Sequence, residues 1–141
     1  METKKIICDT DVMIDFFDEN KKRHLVTKKI IEEVIGIDNV VISAVTKMEM
    51  MVGATNKMDL RTINKKLQRF HIALINDNIS VMAFELIEKY YLSHGLVMPD
   101  GLIASTAIIT NLELFSYNIK DYKFIKGLKL FKIDHKDYVN N

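Results

Sequence analysis

Lys5-Ile6-Ile7-Cys8-Asp9-Thr10-Asp11 decides how this chain is read. Lys5 to Cys8 is a short apolar run rich in β-branched side chains, without polar alternation. That is the pattern of a central strand buried on both faces. The run ends on acids. Like charges buried together are costly unless a cation neutralises them. The same pattern returns further along the chain: Val40-Val41-Ile42-Ser43 leads into Thr46-Lys47-Met48-Glu49, and Pro99-Asp100 opens Gly101-Leu102-Ile103-Ala104. Distant segments thus each carry an acid at the edge of an apolar run. A divalent metal shared by Asp9, Glu49 and Asp100 would explain them, and it would bring phosphate chemistry.

Working outward, strands alternate with helices. Asp11 is placed to cap a helix over Val12 to Phe17, with Val12, Ile14 and Phe17 on its buried side. Leu25 to Ile35 reads as a second helix, ended at Gly36. Val40 to Ile42 is another buried strand, and Ser43 can cap the helix that follows it to about Gly53. Residues 59–70 carry Leu60, Ile63, Leu67 and Phe70 at helical spacing. Ile72 to Ile75 returns as a strand, followed by a helix over residues 79–92. Pro99 starts a helix at its favoured first-turn position, running to Thr110. Leu112 to Phe115 and Leu130 to Ile133 read as the last strands.

This alternation, without hairpin signals such as Asn-Gly, predicts a mostly parallel sheet. Such sheets bind ligands beyond the carboxyl ends of their strands. Asp9 and Ser43 fall at such ends, Glu49 lies in the helix after Ser43, and Ser116 to Asp121 follow the strand ending at Phe115. With one proline and no repeat or linker, a single domain over residues 1–141 accounts for the chain.

The net charge of +1 argues against nucleic-acid binding by bulk electrostatics and leaves local patches open. Lys57, Arg61, Lys65 and Arg69 share one helix face, and Lys120, Lys123, Lys126, Lys129 and Lys132 follow the last acidic segment. Each group reads as a solvated face, or as a phosphodiester contact if it borders a metal site. A single cysteine excludes an intramolecular disulfide, and Cys8, inside the first strand, reads as core. No apolar run nears the roughly 18 residues of a membrane span, and the N-terminal run is too short for a signal peptide. The expectation is a cytoplasmic protein with no membrane contact. The histidines at 24, 71, 94 and 135 lack zinc spacing, so the site is oxygen-only and suited to Mg²⁺ or Mn²⁺. Metal-activated water would then replace a protein nucleophile.

In order and spacing these segments resemble the PIN domain and, within it, the VapC-type toxins of prokaryotic toxin–antitoxin pairs. The opening strand with Asp9-Thr10-Asp11 looks like the first motif. Ser43 and Thr46 with Glu49 look like the second, Pro99-Asp100-Gly101-Leu102-Ile103-Ala104 like the third, and Ser116-Tyr117-Asn118-Ile119-Lys120-Asp121-Tyr122 like the closing one. The resemblance spans nearly the whole chain. It implies a three-layer α/β/α sandwich and a Mg²⁺- or Mn²⁺-dependent endoribonuclease acting on single-stranded or structured RNA. Asp9, Glu49, Asp100 and Asp121 would be catalytic, with Asn118 joining them as metal ligands. Thr10 and Ser43 would orient the carboxylates. Asn118 stands where many relatives carry Asp, so it competes with Asp121 for the fourth position. Arg is common where Tyr117 stands. The resemblance also implies a cognate antitoxin, placed against the helices at 24–36 and 44–53, and a homodimer.

Other readings compete. Asp9-Thr10-Asp11 alone also suits a phosphatase of the haloacid dehalogenase type, with Asp9 as nucleophile and Asp11 as general acid. That reading leaves Glu49 and Asp100 unexplained. A PIN-like module that binds RNA or protein without cutting is another, since Asn118 removes an acid. DNA cleavage of the flap-nuclease kind is the last, on a chain without added DNA-gripping elements.

Overall fold

The opening strand is hydrogen-bonded along both edges. In the computed structural model, which describes residues 4–133, β1 (Ile6–Cys8) pairs in parallel with β2 (Val40–Ser43). β3 (His71–Ala73) extends the sheet beyond β2, and β4 (Glu113–Phe115) lies on the other side of β1. The order is β3-β2-β1-β4, with every pairing parallel. Ile7 is in register with Val41 on one side and Leu114 on the other. An all-parallel sheet must be covered on both faces, which is why β1 and β2 are uninterrupted apolar runs.

Helices supply that cover. On one face Ile6 and Cys8 meet Val12, Met13 and Phe16 of α1 (Thr10–Phe17) and Val26 of α2 (His24–Lys29). Leu67 joins this core from α4 (Lys57–Leu67), which follows α3 (Ala44–Val52). On the other face Ile7, Val41 and Leu114 pack against Leu86 and Tyr90 of α5 (Asp77–His94). Ile103, Ala104 and Ala107 of α6 (Met98–Thr110) complete that second core. The α/β/α sandwich is therefore present as expected. Ile7 is fully buried, and removing a side chain of that size from water stabilises by roughly 2–3 kcal/mol.

Short polar side chains open the helices. Ser43, Asn56 and Asn76 accept from the amides of Thr46, Asp59 and Ile79 at the starts of α3, α4 and α5. Pro99 lies in the first turn of α6, as anticipated. Among the described residues no helix is long and apolar enough to cross a membrane.

Some expectations need correction. Asp9, not Asp11, caps α1, whose helical hydrogen bonding starts one residue before Asp11. The buried face is consequently Val12, Met13 and Phe16, while Ile14 is 39% exposed. The segment 25–35 is α-helical only to Lys29 and continues as a π-helix over Ile30–Ile35. The wider π turn brings residues five apart towards one face, so Ile30, Ile31 and Ile35 are buried together. Leu130 to Ile133 is not a strand. Leu130 makes one isolated parallel bridge to Leu114, while Phe131 packs against Phe115.

Candidate active site

Asp9 sits where β1 ends and α1 begins, and its own amide continues the pairing by donating to the Phe115 carbonyl at 2.8 Å. Its side chain is buried. One carboxylate oxygen accepts the Thr10 amide at 2.8 Å and the other accepts the Ser116 hydroxyl at 2.7 Å. Ser116 Oγ in turn accepts the Asn118 amide at 3.0 Å. The carboxylate is thus held from both ends by groups that follow β1 and β4.

Glu49 reaches the same crevice from α3. Its side chain is held by Thr10 Oγ1, which donates to Oε1 at 2.6 Å. That contact fixes the direction of a chain of hydroxyls. Thr10 has spent its one proton on Glu49, so in its 2.9 Å contact with Thr46 it must accept. Ser43 Oγ donates to Thr46 Oγ1 at 3.3 Å and itself accepts the Thr46 amide at 3.0 Å. Donation therefore runs Ser43 to Thr46 to Thr10 to Glu49, from the buried end of β2 out to an exposed carboxylate.

Asp100 lies in the first turn of α6, where a carboxylate is favoured by the helix dipole. Tyr122 hydroxyl donates to Asp100 Oδ1 at 3.2 Å. The same phenol also acts on Asp9, opposing the rise of its pKa. Burial and both carboxylates push the phenol's own pKa far up, so it remains a donor. Gly101, next in α6, leaves room for α5: a Cβ there would meet Ile87 at 3.0 Å.

The acids share one electrostatic field. Burial raises the pKa of Asp9, opposed by hydrogen bonds from Ser116, Thr10 and Tyr122 and reinforced by Glu49. Asp100 is pushed up to about 6, first by burial, then by Asp9, with Asp121 and Glu49 adding to it. Asp11 is also pushed up to about 6 by burial and by Asp9. The ion pairs among the described residues, Arg23 with Asp15 and Lys4 with Glu113, lie outside this group. Mutually repelling carboxylates without an ion-pair partner fit a hard divalent cation. Among the described residues no three or more His, Cys, Asp or Glu side chains are arranged to hold a metal ion by themselves. A cation that keeps several of its waters needs few direct protein ligands.

The other expected residues are placed as follows. Asp121 is half-buried in a 3₁₀ turn over Ile119–Asp121 and is close enough to act on Asp100. Asn118, just before that turn, is exposed and engages Ser116 through its backbone amide. Ser43 is fully buried and touches Thr46 rather than an acid. Asp11 accepts the amides of Val12 and Tyr117, tying α1 to the segment after β4. A carboxylate so occupied is poorly placed as the general acid of a phosphatase. Cys8 is core, its thiol pushed well up by burial and then by Asp9. Sequence reasoning assigned no role to Ser116 or Tyr122, and both bond the acids directly. Their place inside the closing motif was the one available signal.

Residues 6–126 match the model of the PIN domain. The chain belongs to the PIN domain family. It is 33% identical over 134 residues to Ribonuclease VapC1 of Methanocaldococcus jannaschii, covering 92% of this chain and 89% of that protein. Among solved structures, a toxin–antitoxin complex from Klebsiella pneumoniae superposes with a TM-score of 0.71 at 29% identity, over 92% of this chain and all of that one. DNA-bound VapBC from Salmonella typhimurium shares the fold, with a TM-score of 0.73 at 16% identity over 92% of this chain and 98% of that one.

Proposed function

We propose that this chain is a divalent-metal-dependent endoribonuclease and the toxin of a toxin–antitoxin pair. The observation that carries this reading is the group formed by Asp9, Glu49, Asp100 and Asp121, which repel one another around Asp100 and have no ion-pair partner among the described residues. The kinship with a VapC ribonuclease supports it. Asp9, Glu49 and Asp100 would hold Mg²⁺ or Mn²⁺, with Asp121 and Asn118 at the margin. A cation held there would supply an activated water and offset negative charge on a phosphodiester. The protein positions and desolvates. Ser116 and the Thr10 amide fix Asp9, the hydroxyl chain aims Glu49, and the Tyr122 hydroxyl holds Asp100. A cytoplasmic setting goes with this reading.

The antitoxin is proposed to lie along α2, its π-helical extension and α3. Leu25, Val34, Met48 and Val52 are exposed there, apolar surface that a partner helix would cover. A homodimer is proposed on another face, where α5 exposes Phe84 and Leu92.

The test is cleavage of total cellular RNA by the pure protein. Cutting should require Mn²⁺ or Mg²⁺ and stop with EDTA. Cleavage that persists unchanged in EDTA sinks the metal-dependent reading.

Thr10→Val probes the hydroxyl chain. Valine keeps the shape but leaves Glu49 unheld. Mn²⁺ affinity, followed by titration calorimetry, should fall by about 10- to 100-fold, the usual cost of losing a group that orients a ligand. An unchanged affinity would remove Thr10 from the site.

A further inference from the structure

Beside the acids lies a cavity of about 200 Å³ whose aromatic wall the chemistry above does not use. Its wall runs from Asp100 and Asp121 to Leu96, Val97, His94 and Phe124. The His94 and Phe124 rings stack nearly parallel, 4.3 Å apart at 14°. Tyr90 supports both, with ring centroids 5.8 Å from His94 and 5.2 Å from Phe124. Ser93 Oγ contacts His94 Nδ1 at 2.7 Å, steadying the imidazole. Gly95 holds the corner: with φ at +71° it ends α5, its amide bonding the Tyr91 carbonyl at 2.8 Å. The chain therefore turns straight from His94 into α6, and the aromatic pair stands next to Asp100.

We infer that this cavity seats a nucleobase of single-stranded RNA adjoining the phosphodiester to be cut, stacked on the His94 and Phe124 pair. The inference rests on the nuclease reading above. A base is flat enough to lie on an aromatic wall, and stacking of this kind accepts single-stranded RNA irrespective of strong sequence preference. Its edge carries amino or imino donors, which suit Asp121, the acid at the margin of the cation site. The phosphate on the attached sugar then falls towards the catalytic acids. Lys123 and Lys126, exposed and flanking Phe124 in sequence, are available to its neighbours.

The test uses two readouts. Short single-stranded oligoribonucleotides carrying 2-aminopurine at successive positions are mixed with the Asp9→Asn protein, expected to hold RNA without cutting it. Stacking quenches this fluorophore, so one position should be quenched. The quench should vanish when His94→Ala or Phe124→Leu is added. His94 is exposed, so its replacement leaves the core intact should Phe124→Leu fold poorly. In the otherwise native protein, His94→Ala should raise KM for RNA cleavage about tenfold, with kcat changed less than about threefold. RNA cleavage with native KM in His94→Ala and no quench at any position overturns the pocket and leaves the nuclease standing. A quench that depends on His94, in a protein whose native form cuts no RNA, upholds the pocket and removes the nuclease reading.

Discussion

Asp9→Asn should abolish RNA cleavage while leaving the fold in place. Asparagine keeps an acceptor for the Thr10 amide, and its NH₂ can donate to Ser116 once that hydroxyl rotates. The β1–β4 pairing through the Asp9 amide is untouched. What disappears is the negative charge at the centre of the crevice. If the cation contributes several kcal/mol of transition-state stabilisation, losing its central ligand should cost at least about 10²- to 10³-fold in rate. Initial rates of RNA cleavage check this, with thermal unfolding as the control. A properly folded variant cutting within about tenfold of the native rate would refute the assignment of Asp9.

Asp100→Asn should invert its effect on stability according to whether metal is present. The Asp100 pKa is raised from 3.8 to about 6 by burial and by the neighbouring acids. Between those values the folded chain binds more protons than the unfolded one. Metal-free stability therefore falls as pH rises from about 4 to about 6 and stays low above that. Asp9 and Asp11, raised by the same causes, act in the same direction. Removing the Asp100 charge should recover about 1 kcal/mol above pH 6, after discounting for its partial exposure. Excess Mn²⁺ stabilises whichever form binds it more tightly. Unfolding midpoints above pH 6 should thus place the variant higher in EDTA and the native protein higher in Mn²⁺. Identical ordering in both conditions would show that Asp100 does not hold the cation.

What the sequence reveals here is set by how local the physics is. Ile6-Ile7-Cys8 and Val40-Val41-Ile42 announce central strands because burial on both faces leaves no polar alternation. Ser43 and Pro99 mark helix starts through contacts within one turn. The confusion of Asp11 with Asp9 is of one kind with this, since aspartates two residues apart are equally able to cap and only the strand's end decides between them. Leu130 to Ile133 has strand composition, yet its fate depends on where Leu114 and Phe115 lie. The π-helix after Lys29 depends likewise on packing distant in sequence. Asp9, Glu49 and Asp100 were legible as candidates because acids at the rim of apolar runs are costly. Ser116 and Tyr122 were not, because a hydroxyl is cheap anywhere and its target lies 107 residues away for Ser116 and 22 for Tyr122.

The position of β1 between β2 and β4 also bears on synthesis. Until residues 113–116 have emerged from the ribosome, one edge of β1 has no partner, and Asp9 lacks both its amide's acceptor on Phe115 and the hydroxyl of Ser116. Tyr122, which holds Asp100, comes later still. A nascent chain can therefore carry Asp9, Glu49 and Asp100 without having assembled them. The hydrogen-bonded arrangement of these acids thus waits on the segment that follows β4.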